Sequence, residues 1–175
     1  VLCVYIMETP IWNPSAETPR MGSNRAQFIL ESLRDLEFEI KGIGGSIEFI
    51  KGRAVDEIPR VMESFGAEHC YAQKEDAWEE TEQERLLADQ INLILTGGKG
   101  IWGEADLPFA LESLPAVFSS FRRKVEKKMQ VRSLFRSPKS MPCSWKPKTE
   151  LPTLTSLGYE ECSKDERAVL DFRGG

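Results

Sequence analysis

The chain has 175 residues and a formal net charge of -5. That length supports one domain with a real core plus an appendage, and the acidic balance excludes a generic nucleic-acid binder. No apolar stretch approaches the roughly 20 residues of a membrane-spanning helix, a lone histidine cannot build a histidine metal cluster, and four widely spaced cysteines (Cys3, Cys70, Cys143, Cys162) without a C-x-x-C pair fit a reducing compartment, the cytoplasm, and no zinc site.

"VLCVYI" at the start is an apolar run of strand length. Val1 already lies inside it, so an upstream segment is expected. "RAQFILESLRDLEFEIKGIGG" is the clearest helix. Ile29, Leu33, Leu36 and Ile40 form a stripe at i, i+4, i+7 and i+11, with Ala26 extending it backwards. Ser23 or Asn24 is placed to cap its start, and Gly44-Gly45 marks its end.

In Ser46–Lys51, Ile47 and Phe49 sit two apart and Ile50 extends the run, which suits a strand with at least one buried face. Gly52 permits a turn. Asp56 and Glu57 open a helix and complement its dipole, and Pro59 is tolerated in the first turn. Val55, Ile58, Val61, Met62 and Phe65 recur at helical spacing, and Gly66 ends the helix. Cys70-Tyr71-Ala72 then begins a new strand. Strand, helix, strand favours a parallel pair with a right-handed crossover. The alternation as a whole predicts an α/β fold with a doubly wound parallel sheet covered on both faces.

"QKEDAWEETEQERLLADQINLIL" opens acidic and turns apolar. Acids at a helix front are favoured by its dipole, so one reading is a solvated helix start. The other is that Glu75, Glu79 or Glu80 points into a cleft and holds a polar ring. "TGGKGIWGEADLPF" matches neither G-x-x-x-x-G-K-[ST] nor G-x-G-x-x-G and reads as a loop.

"LPAVFSSFRRKVEKKMQVR" reads as one helix with Val117, Phe118, Phe121 and Val125 on one face. It carries the one basic patch: Arg122, Arg123, Lys124, Lys127, Lys128 and Arg132, continued by Arg136 and Lys139 and opposed only by Glu126. That patch suits a solvated or domain-interface face, or contact with nucleic-acid phosphates. "SPKSMPCSWKPKTELPTLTSLGY" is proline-rich and should run extended over a surface. Within it, Trp145 beside Lys146 and Lys148 would suit base stacking. The expected division is an α/β domain over residues 1–114, then a helix and connector over 115–175.

The order of segments resembles the N-terminal domain of the photolyase/cryptochrome family, most closely its cryptochrome-DASH branch. "RAQFILESLRDL" resembles the family's R-x-x-F-L-x-E-S-L-x-D-L helix, and "GGSIEFIKGRAVDEIPRVMESFGAEHCYA" its next strand, G-x-P turn, helix and strand. "DLPF" followed by "LPAVFSSFRRKVEK" resembles D-L-P-F and V-F-T-x-F-R-x-x-V-E. "LPTLTSLGY" resembles the I-P-x-L-x-x-L-G connector, and "DFRGG" the F-x-G-G-E that opens the flavin-binding domain. Each motif is ordinary alone, and five in the right order are specific. The chain departs from the family in three places. Nothing before Val1 matches the opening strand and R-D-L-R-x-x-D-N loop. Arg53-Ala54-Val55 stands where the family has its Gly-Pro turn. Trp102-Gly103 runs into Glu104-Ala105-Asp106 without the intervening T-L-Y.

The resemblance implies a Rossmann-like scaffold and antenna holder without a glycine fingerprint. FAD, the tryptophan electron path and the lesion cavity would belong to a flavin-binding domain beyond Gly175. In the DASH branch the antenna is methenyltetrahydrofolate, and the family's antenna glutamate follows the strand matching Cys70–Ala72. The register leaves Glu75, Glu79 and Glu80 open. The parent would repair pyrimidine dimers in DNA under blue light, or signal. Two other readings are a free-standing nucleotide-binding regulator and a nucleic-acid-binding module built on Arg122–Lys139. In the doubly wound order, Val1–Ile6 is the second strand, Ile47–Ile50 the third and Cys70–Ala72 the fourth. An upstream first strand fills the gap, or Val1–Ile6 pairs directly with Cys70–Ala72.

Overall fold

The structure is a computed structural model that describes residues 1–97, 100, 103–131, 133–162 and 173–175. These fall into two compact units, Val1–Ala67 with Pro138–Gly175, and Glu68–Ser137.

In the first unit, β1 (Cys3–Glu8) and β2 (Ile47–Gly52) run parallel, Cys3 opposite Ile47 and Glu8 opposite Gly52. Helix α1 (Ser23–Gly42) joins them. Its buried stripe is Ala26, Leu30, Leu33 and Ile40. The buried face is turned toward Leu30, and Leu36, expected in the stripe, lies exposed at its margin. The helix starts at Ser23, so Ser23 and Asn24 lie inside its first turn and do not cap it. Gly22 holds the cap position without a side-chain bond.

The core of this unit joins Met7 and Phe49 from the strands to the α1 stripe. Trp12 and Met21 from the β1–α1 loop fill one flank. Leu157 and Tyr159, from the C-terminal segment, close another, with the Trp12 and Tyr159 rings edge to face at 6.3 Å. The C-terminal segment is therefore part of the core.

Helix α2 (Ala54–Phe65) carries Asp56 and Glu57 in its first turn. Its first N–H is taken from outside the helix: Ala54 donates to Glu8 Oε1 at 2.7 Å, so the end of β1 fixes the start of α2. Pro59 sits one turn deeper than the sequence suggested. Gly66 ends the helix at φ 71°, with Ala67 N–H donating to Met62 O. Gly52 does not make the turn expected of it. It closes β2, and a Cβ there would stand 2.7 Å from Glu57 Cγ, so a close approach requires the glycine.

In the second unit, β3 (Cys70–Gln73) pairs in parallel with β4 (Leu93–Thr96) through α3 (Trp78–Ala88). The sequence reading did not recognise β4. Two short 3-10 turns, Glu104–Asp106 and Leu111–Ser113, lead to α4 (Phe118–Lys128). That helix is shorter than expected. Val117 caps it from outside and is exposed, as is Phe118. Val125 is buried, and Phe121 meets Phe109 edge to face at 5.9 Å.

The strands thus form two two-stranded parallel sheets, β1-β2 and β3-β4. The stretch from Ser46 to Ala72 is not a parallel pair: α2 links strands of different sheets. Val1–Ile6 does not pair directly with Cys70–Ala72 either. The hydrogen bonds of β1 go to β2 and those of β3 to β4. Each partner is supplied by the nearest strand–helix–strand crossover.

Candidate functional site

Open parallel sheets present ligands at the carboxyl ends of their strands. At the end of β3, Lys74 N–H donates to Thr96 O at 2.8 Å, and Glu75 N–H donates to Glu84 Oε1 at 2.6 Å. The loop is held on one side by β4 and on the other by α3. Glu75 is half-buried at this fixed position. Glu79 and Glu80 are exposed in the first turn of α3, where their charge complements the helix dipole. Glu75 therefore differs from Glu79 and Glu80, and of these three it alone combines partial burial with a strand end. Such a carboxylate can take paired N–H donors from a flat heteroaromatic edge.

The basic residues do not form one stripe. Arg122, Arg123, Lys124, Lys127 and Lys128 are spread around α4 on both sides of the Val125 face. Arg122 Nε pairs with Glu126 at 3.2 Å, and Lys124 Nζ stands 5.5 Å over the Phe109 ring. Lys127 and Lys128 occupy the last turn, where cations complement the helix dipole. Arg132 and Trp102 lie outside the described residues.

Sequence reasoning missed a buried carboxylate. Glu48, the second residue of β2, is 3% exposed. The proline-rich connector crosses it and supplies its donors among the described residues. Trp145 Nε1 donates to Oε2 at 2.6 Å, and Thr149 Oγ1 to Oε1 at 2.6 Å. The backbone N–H groups of Lys148 and Thr149 donate at 3.0 Å. Burial pushes the Glu48 carboxyl up, but the bonds from Thr149, Trp145 and the Lys148 and Thr149 amides outweigh it and hold the group below the ordinary carboxylate range. Trp145 also meets Phe65 edge to face at 5.8 Å and carries Lys148 Nζ over its ring at 4.8 Å. Its indole is thus committed to the fold. The signal was present in the sequence: an acid flanked by Ile47, Phe49 and Ile50 in a strand with both faces covered must find donors.

A second missed feature is a cleft of about 390 Å³ between α1 and the C-terminal segment. Glu31 is its best-tied charge, taking Gln27 Nε2 and Gly174 N–H, each at 2.9 Å. Those two bonds hold its carboxyl below the usual range. Arg34, Thr153 and Glu161 complete a polar lining of mixed charge. Among the described residues no cluster of three or more His, Cys, Asp or Glu side chains is placed to hold a metal ion, and no helix is long and apolar enough to cross a membrane.

The sequence profile of the DNA photolyase family matches residues 1–143, well over half of the chain. The chain belongs to the DNA photolyase family. The photolyase-family chain is 30% identical over 162 residues to Cryptochrome DASH of Synechocystis sp., covering 89% of this chain and 33% of that protein. To Cryptochrome DASH of Gloeobacter violaceus it is 31% identical over 162 residues, covering 89% and 32%. The crystal structure of the Synechocystis cryptochrome superposes with a TM-score of 0.84 at 27% identity, over 98% of this chain and 37% of that one. The chain thus spans about a third of the length of the curated relatives it matches. The parallel α/β architecture expected from the sequence is the fold of this photolyase-family region.

Proposed function

We propose that the chain is the antenna and scaffold domain of a blue-light flavoprotein of the photolyase or cryptochrome-DASH kind. The parent acts in light-driven repair of pyrimidine dimers in DNA, or in light signalling, and this segment is not catalytic alone. The observation that carries the reading is a family match and a fold likeness that together run nearly the whole chain. In this reading residues 1–114 are the α/β domain and 115–175 its helix and connector. The partner is a flavin-binding domain that holds FAD, and the setting is cytoplasmic. Glu75 is the residue we assign to a methenyltetrahydrofolate antenna, because it is half-buried at the carboxyl end of β3. Glu79 and Glu80 serve the start of α3.

A free-standing nucleotide-binding regulator is not favoured. The family match argues against it, and the sequence lacks a phosphate-gripping glycine loop.

The test is spectroscopic. The purified chain should carry no flavin absorption and should not repair dimers under blue light. FAD bound at one per chain, or light-driven repair by this chain, overturns the assignment.

The parent's DNA contacts are tested separately. The cations of α4 are dispersed around the helix, so this chain should bind DNA weakly and without sequence preference. Two phosphate contacts would lose roughly tenfold in affinity between about 50 and 200 mM salt. Tight, sequence-dependent binding at physiological salt would instead assign Arg122, Arg123, Lys124, Lys127 and Lys128 to a dedicated nucleic-acid interface.

A further inference from the structure

Cys3 and Cys143 are 140 residues apart in sequence, yet both are moored to the same short stretch, Gly44–Ser46. Cys3 N–H donates to Ser46 O at 3.0 Å, and Cys143 N–H donates to Gly44 O at 3.1 Å. Two more bonds flank them. The Val1 ammonium reaches Pro142 O at 3.4 Å, and Ser46 Oγ donates to Trp145 O at 3.0 Å. Cys3 alternates with Tyr5 and Met7 along β1 and, like Met141, packs against the core. Cys143 follows Met141 by two residues in the connector and is half-buried. Both thiols are free and half-buried, within reach of a small oxidant. Burial raises the Cys3 pKa, and the charge of a Cys143 thiolate raises it further.

We propose that Cys3 and Cys143 are a redox-active pair that a peroxide converts to an intrachain disulfide, clamping the connector to the N-terminal strand. One thiolate attacks the O–O bond of hydrogen peroxide, which becomes a sulfenic acid and releases water after protonation. The second thiolate then attacks that sulfur. The S–S bond forms, the S–O bond breaks, and a second water leaves. Two thiols and one peroxide thus give one disulfide and two waters, a two-electron oxidation. The bond ties β1 to the connector that Glu48 already holds, so reduction leaves the connector on hydrogen bonds and apolar packing alone.

The experiment is peroxide treatment of the whole chain, followed by non-reducing tryptic mapping. The expected product is a monomer in which peptide Val1–Arg20 is joined to Ser140–Lys148. Dithiothreitol should separate them, and Cys3→Ser and Cys143→Ser should each lack the product. The oxidised chain should melt about 5 °C or more above the reduced one, a rise absent in both variants. Four unmodified thiols after treatment, sulfinic acid at either cysteine without the link, a link to Cys70 or Cys162, or intermolecular dimers would each overturn the proposal.

Discussion

Replacing Glu48 by alanine is expected to destabilise the chain by about 3 kcal/mol, roughly a hundredfold in the folded-to-unfolded ratio. The argument runs through the donors, not through the acid itself. Trp145 Nε1 and the amides of Lys148 and Thr149 all point at one buried carboxylate, although Lys148 and Thr149 are themselves exposed residues. An alanine leaves each without an acceptor, and a buried unsatisfied donor costs about 1–3 kcal/mol. Local relaxation and entering water offset part of the sum. Glu48→Gln keeps one oxygen but aims an NH2 group at a donor, so it should cost less, about 2 kcal/mol. Denaturant unfolding measures both. A loss below about 1 kcal/mol for the alanine variant contradicts the role given to Glu48.

The same site sets a pH dependence whose sign can be fixed. The folded-state pKa of Glu48 lies below the usual value. A depressed carboxyl contributes stability that is fully present above its unfolded-state pKa, about 4.3, and is lost as pH falls through the folded value. The stability gap between the wild type and Glu48→Gln should therefore be widest near neutrality and shrink below about pH 4.

What the sequence revealed and what it hid follow from the range of the interactions. Elements set by local pattern were legible. The apolar run at the start, the stripe of α1, and the acids and terminal Gly66 of α2 all concern residues a few positions apart. The need of Glu48 for donors was legible in its apolar neighbours, but the donors were not, because they lie 97 to 101 residues away and no local period announces them. Strand β4 was hidden for a different reason. Its four residues follow α3 after a brief turn, and a short apolar run behind an acidic helix reads equally well as more helix. Pro59 misled by one turn, since α2 already starts at Ala54. At the candidate site the acidic run was visible, but its three carboxylates became distinguishable only once burial separated Glu75 from Glu79 and Glu80.

That separation yields the second large effect. A pterin ring offers an edge of N–H donors, and a fixed carboxylate can accept two of them. In the proposed reading Glu75 takes this role, and the Lys74–Thr96 and Glu75–Glu84 bonds hold its loop. Removing the negative charge while keeping the shape, as in Glu75→Gln, replaces one acceptor by a donor. The loss of a single charge-assisted bond then lowers affinity by at least about tenfold. Glu79→Gln and Glu80→Gln should leave it within about twofold, since both side chains are solvated. Affinity in this chain alone should be weak, because a flavin domain would supply the other wall of the cleft. The decisive measurement is a titration of the chain with methenyltetrahydrofolate followed by backbone amide chemical shifts, which register weak binding. The account predicts shifts confined to the carboxyl ends of β3 and β4 and to the start of α3, with affinity at least about tenfold lower in Glu75→Gln. Shifts elsewhere, none at millimolar ligand, or equal affinity in Glu75→Gln would contradict it.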